Sequence, residues 1–171
     1  MIRVWDLWVR IGHWLLVLGI AGAWLSRHGA EFWHPVAGYG VLGLLAIRVV
    51  WGFCGSVHAR FSDFVRRPGA VIAYTQALRR HSAPHYLGHN PLGGYMVLAL
   101  LALIALAGAS GWLYTTDRFW GVAWVGELHS AAADVLLGLV AAHVAGVLFA
   151  SYNERENLIA AMLHGRKQSR G

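Results

Sequence analysis

Four apolar runs, parted by polar stretches of unequal length, lay out this chain. They span about Val9 to Leu25, Pro35 to Phe53, Pro91 to Leu113 and Glu127 to Tyr152. At about 1.5 Å of rise per residue each is long enough to cross most or all of a hydrocarbon layer about 30 Å thick. The short first run opens with Trp8 and Arg10, an interfacial ring and a side chain that can snorkel. A polar link, Ser26 to Trp33, leads to His34–Pro35, with Pro at a first-turn position where its missing N–H costs nothing. The long connection from Gly55 to Asn90 contains a helical pattern over Pro68 to Leu78, carried by Val71, Ile72, Tyr74 and Leu78. It predicts a helix lying in the interface. A loop over Tyr114 to Gly126 precedes the fourth run, and a capped amphipathic helix over Asn153 to Leu163 precedes a basic tail. The pattern predicts an all-α integral membrane protein: a four-transmembrane-helix bundle with interfacial amphipathic helices, one domain over 1–171.

Composition agrees. The chain is 57% hydrophobic and only 13% charged, with mean hydropathy +0.50, nine Trp and twenty-one Gly, where soluble domains carry roughly a quarter charged residues. One cysteine, Cys54, excludes an intrachain disulfide framework and any CxxCH attachment of c-type haem. No A-x-A-like site follows the first run, so it reads as a retained helix. The formal charge of +6 is a topology signal. Eleven of the fourteen Lys and Arg fall on one side if the N-terminus, the Gly55–Asn90 connection and the C-terminus share it; only Arg27 and Arg118 lie opposite, and Arg48 is inside a span. That predicts both termini on the cytoplasmic side. The basic charge then meets membrane lipid, and no nucleic acid is expected.

The histidines give the spans their chemistry. His129 and His143 are fourteen residues apart in the fourth run, roughly 21 Å along a helix and about 40° apart around it. By depth, His13 is level with His143 near the inner side, and His34 with His129 near the outer side. Ionisable groups at such depths are functional candidates. Zinc wants three or four ligands at one point, whereas two imidazoles from facing helices suit the two axial positions of a haem. Gly38, Gly43, Gly138 and Gly146 can make room for a porphyrin edge or for close helix packing. Arg48, fourteen residues after His34, can pair with haem propionates or snorkel to the inner surface. Asp134, about 140° round from His129, stays open between a proton path, a quinone site and a helix contact.

Together RIGHW (10–14), HPVAGYGVLGLLAIRVVWGF (34–53), GHNPLGGYMVLALLALIALAGASGW (88–112) and LHSAAADVLLGLVAAHVAGVLFASYNERENLIAAMLHGRK (128–167) cover nearly the whole chain. In these segments it resembles the bacterial di-haem cytochrome b family, which includes the cytochrome b subunits of nickel–iron hydrogenases and formate dehydrogenases. The resemblance implies two haem b groups, the inner on His13 and His143 and the outer on His34 and His129. It also implies quinone contact by His89 and Asn90, and electron transfer between the quinone pool and a periplasmic c-type cytochrome or oxidoreductase subunit.

On this reading the chain is a non-enzymatic carrier or the cytochrome b subunit of an oxidoreductase, and a homo-oligomer is compatible with it. The alternative is an enzyme, since small family members oxidise superoxide at the outer face and pass the electron to quinone. That activity wants a cationic funnel, and the outer side offers Arg27 and Arg118 against Glu31, Asp117 and Glu127. Trp33, Trp120 and Trp124 on that side read as an aromatic belt or a docking face. His28, His58, His81, His85 and His164 fall in loops or tails and read as exposed.

Overall fold

The computed structural model describes residues 1–28 and 32–168; Glu31 and the tail residues 169–171 lie outside the described residues. Helices form at Leu7–Leu25 (α1), Trp33–Cys54 (α2), Phe61–Phe64 (α3), Pro68–Arg79 (α4), Pro91–Tyr114 (α5), Ala123–Glu154 (α6) and Leu158–His164 (α7). A 3-10 turn covers Val57–Ala59, and two short strands, Ile2–Arg3 (β1) and Arg166–Lys167 (β2), pair antiparallel. Helices α1, α2, α5 and α6 are long and apolar enough to cross a membrane.

The helix ends follow local chemistry. Pro68 and Pro91 each open a helix, and Asn90 caps α5 by accepting a hydrogen bond from Gly93 N at 2.8 Å. The expected helix over Asn153 to Leu163 divides in two. Asn153 continues α6, Arg155 turns the chain at φ 48°, and the cap falls on Asn157, whose Oδ1 accepts from Ala160 N at 2.9 Å. Gly165, at φ 80°, ends α7 in the left-handed conformation that favours glycine. Helix α6 also begins four residues earlier than expected, at Ala123, which shortens the preceding loop.

The chain divides into two compact units. One comprises Ile11–Val49 and Leu100–Ala141. Its core gathers Leu16 of α1, Val41 and Leu45 of α2, Ile104 of α5 and Leu136 of α6, so all four long helices meet there. Lipid is as apolar as leucine, so contact between such helices depends on close fit. Gly19 and Gly108 supply it: a Cβ at Gly19 would lie 2.7 Å from Val41 Cγ2, and one at Gly108 would collide with Leu42. No more than 17% of any span's apolar window is buried within the chain. A water-soluble bundle would bury those faces; a membrane protein presents them to lipid.

The other unit comprises Met1–Arg10, Val50–Ala99 and Ala142–Gly171. Ile2 pairs with Lys167 and Arg3 with Arg166. Val4 N and Trp5 N donate to Gly165 O at 2.9 and 3.2 Å, and the Arg10 guanidinium donates to Leu163 O. Val4, Trp5, Val9 and Ala59 form the core, with Trp51, Leu87 and Met162 packed on it. Asp6 ties three segments together, accepting from Val9 N at 2.8 Å, Trp51 Nε1 at 3.1 Å and Ser56 Oγ at 2.5 Å. Burial alone would push its carboxyl up, but the Ser56, Val9 and Trp51 donors outweigh it and hold the carboxyl below the usual carboxylate value. Lys167 is buried against Glu154 (3.6 Å) and Glu156 (4.0 Å) and donates to Tyr86 O at 3.2 Å.

Candidate functional site

In the unit built on Leu16 and Leu136, His34 and His129 come together. Their ring centres are 5.8 Å apart and their planes cross at 84°. His34 stands in the first turn of α2, and its Nδ1 donates to Ala23 O at 2.8 Å. That carbonyl belongs to the last turn of α1, where backbone acceptors have no helical partner. His129 sits near the start of α6, and its Nδ1 donates to Ala107 O of α5 at 2.9 Å. Ala107 is one turn before Gly111, and a Cβ at Gly111 would lie 2.9 Å from His129 Cε1 and 3.0 Å from its Nδ1. The missing side chain is what lets the ring reach the backbone.

These two bonds fix the chemistry of both rings. A carbonyl can only accept, so each Nδ1 carries the proton and each Nε2 of the neutral ring is a lone-pair donor. Metal-ligating histidines are commonly held in this way, with the second nitrogen donating to a carbonyl. A metal–imidazole bond is about 2 Å, so a 5.8 Å ring separation suits one metal atom with a ring on either side. The arrangement fits a bis-histidine haem iron. Neither Ala23, Ala107 nor Gly111 was singled out by sequence reasoning; backbone carbonyls leave no mark in a sequence, and Gly111 is one of many glycines.

His13 and His143 are both half-buried, His13 in α1 beside the Trp14 ring and His143 in α6, and they belong to different units. Arg48 is half-buried in α2. Of the four glycines considered for porphyrin room, only Gly38 is part-buried and on the His34 side of its helix, and a Cβ there meets no atom within 4 Å. Gly43, Gly138 and Gly146 are exposed. Asp134 is also exposed, four residues from Gly138 and on the same side of α6.

In the unit built on Val4 and Trp5, the His89 ring lies between Trp5 and Phe64, 4.8 Å from each ring centre. Asn90 beside it caps α5 through Oδ1, which leaves its amide hydrogens as the groups that can meet a ligand. His58, expected to be exposed, is half-buried and pairs with Asp63 at 3.1 Å. His28, His81, His85 and His164 are exposed as expected, His85 lying 3.5 Å from Glu154.

A model of the family described as prokaryotic cytochrome b561 matches residues 4–165. The chain belongs to this family. As such it is a multi-pass helical membrane protein of prokaryotes, a b-type cytochrome that serves electron transfer. It is also 24% identical, over an alignment 216 positions long that covers 97% of this chain and 88% of the relative, to a probable Ni/Fe-hydrogenase B-type cytochrome subunit of Rhizobium leguminosarum bv. viciae. No solved structure matches the chain.

Proposed function

We propose that this cytochrome carries electrons across the bacterial inner membrane on two b haems. It would link quinone on the cytoplasmic side with a periplasmic c-type cytochrome or oxidoreductase subunit. The observation that carries the reading is the His34–His129 pair, 5.8 Å apart with both Nδ1 atoms committed to carbonyls. These two histidines hold the outer haem iron, and Ala23 and Ala107 keep each ring in the ligating tautomer. His13 and His143 would hold the inner haem iron, a pairing that the family resemblance of the sequence supports. When bound, each haem supplies a one-electron couple; the chain sets its axial ligands and its hydrogen bonds. Arg48 pairs its guanidinium with propionates of the inner haem. His89 and the Asn90 amide hydrogen-bond a quinone carbonyl.

Both termini are cytoplasmic in this reading, which the asymmetry of Lys and Arg supports. The similarity to a probable hydrogenase cytochrome subunit of Rhizobium supports an oxidoreductase as the outer partner, and the exposed Trp33, Trp120 and Trp124 offer it a face. Superoxide oxidation ranks second. The described cations toward the outer side, Arg27 and Arg118, lie against the Trp24 and Phe119 rings, 3.7 and 5.6 Å from their centres. The test is a dithionite-reduced spectrum with haem counted per chain in His129→Ala beside the unaltered protein. Two b haems falling to one supports the reading. No haem in the unaltered protein refutes it.

A further inference from the structure

We infer that His58 and Asp63 form the proton-exchange pair of the quinone site, a role that rests on the proposed quinone contact at His89 and Asn90. The two side chains lie in the connection between α2 and α5, His58 in the 3-10 turn and Asp63 in α3. Asp63 Oδ2 accepts from His58 Nδ1 at 3.1 Å. As in other carboxylate–imidazole pairs, this fixes the tautomer and leaves Nε2 as the base. Both side chains are 26% exposed, so protons can pass to water.

The pair is pressed directly on the segment that carries the quinone contacts. A Cβ at Gly88 would stand 3.0 Å from His58 Nδ1 and 3.3 Å from Asp63 Oδ2. Gly88 immediately precedes His89. On the other flank, Phe64, next to Asp63 in α3, meets the His89 ring at 4.8 Å between centres with the planes tilted by 54°. A Cβ at Gly94 would lie 2.5 Å from Phe64 O, so α3 and the first turn of α5 are in contact through missing side chains. Two glycines are thus spent on bringing a titratable pair against the Gly88–Asn90 corner. A neutral imidazole hydrogen-bonded to a carboxylate at this exposure adds about 1 kcal/mol or less to stability.

The chemistry balances with groups already named. A quinol gives up two electrons and two protons to become quinone. Its two electrons would go, one each, to the two b haems the chain would hold when loaded, each a one-electron couple. Each O–H bond breaks with its proton passing to the lone pair of His58 Nε2, and Asp63 stabilises the imidazolium until water takes the proton. Quinone reduction runs the same steps backwards.

The experiment uses the full chain with its haems, purified in detergent, and a short-chain benzoquinol as reductant, with haem reduction followed optically. We expect His58→Gln to slow reduction about 100-fold at saturating quinol, the lower end of the usual general-base contribution. The half-saturating quinol concentration and dithionite reduction should be unchanged. Added imidazole should restore part of the rate in His58→Ala, which a packing role would not allow. If the His58 variants fail to assemble, Asp63→Asn against Asp63→Glu keeps the test: Asn slow, Glu close to the unaltered protein. Quinol-driven rates unaffected by these changes, or altered only through half-saturation, overturn the pair's role and leave the quinone site standing. No reduction of the unaltered protein by quinol overturns both.

Discussion

Gly111→Ala puts the outer site under a load whose size can be worked out. The added Cβ would lie 2.9 Å from His129 Cε1, whereas ordinary van der Waals contact begins at 3.4 Å. The ring must withdraw by about 0.5 Å, and its 2.9 Å hydrogen bond to Ala107 O stretches past the roughly 3.2 Å limit of a good N–H···O bond. Losing that bond costs about 1 kcal/mol. Disturbing a ligand's outer partner typically lowers metal affinity by about 10- to 100-fold, or ~1.4–2.7 kcal/mol. The helix itself responds in the opposite direction, since alanine inside a helix is favoured over glycine by roughly 0.5–1 kcal/mol. On the proposed two-haem reading, Gly111→Ala should therefore keep its fold and its inner haem while losing outer-haem occupancy or shifting that haem's midpoint potential. Pyridine haemochrome analysis counts the haem, and a redox titration resolves the two centres. The control is Gly108→Ala, one turn away, where the new Cβ meets Leu42 and no histidine; it should alter melting and spare the haem. Unchanged occupancy and potential in Gly111→Ala would refute the reasoning.

Two further predictions concern the unit that joins the chain's ends. Asp6→Asn should lower the melting temperature of the detergent-solubilised protein at pH 7. Because the folded carboxyl lies below the ordinary value of about 3.9, its stabilisation is fully present above that value and is lost as pH falls through the folded one; melts from pH 7 to pH 3 should show the two proteins converging only below about pH 4. Glu154→Gln with Glu156→Gln leaves the Lys167 ammonium, 4% exposed, without a carboxylate, and breaking such a pair from one side costs about 3 kcal/mol. Limited proteolysis should then release the C-terminal segment.

The spans were legible because length and composition state them directly. Of the histidines matched by depth along the sequence, His34 and His129 lie with their ring centres 5.8 Å apart. What escaped has a physical reason in each case. The strands β1 and β2 are two residues each, too short for any period. The break at Arg155 depends on a left-handed backbone at a residue that gives no sign of it. Gly111 and Gly138 look alike in sequence, yet one admits a histidine ring and the other lies on an exposed face. His58 looked like a loop histidine because its partner Asp63 stands in a one-turn helix that no apolar pattern announces.

The outer pair also bears on why these helices carry imidazoles at all. Placing a polar ring among apolar spans removes it from water, and each unmet polar group there costs about 1–3 kcal/mol. One hydrogen bond to a carbonyl, netting roughly 1 kcal/mol, offsets only part of that for His34 or His129. If stability were the sole requirement, leucine at either position would serve the bundle better, since it has nothing to satisfy. Both rings instead spend their one donor on a backbone carbonyl, and Gly111 gives up its side chain to make one of those bonds. The result is two lone pairs of defined tautomer held 5.8 Å apart, ring centre to ring centre. A fold that accepts these costs twice, from opposite ends of the chain, is arranged around what the two lone pairs bind.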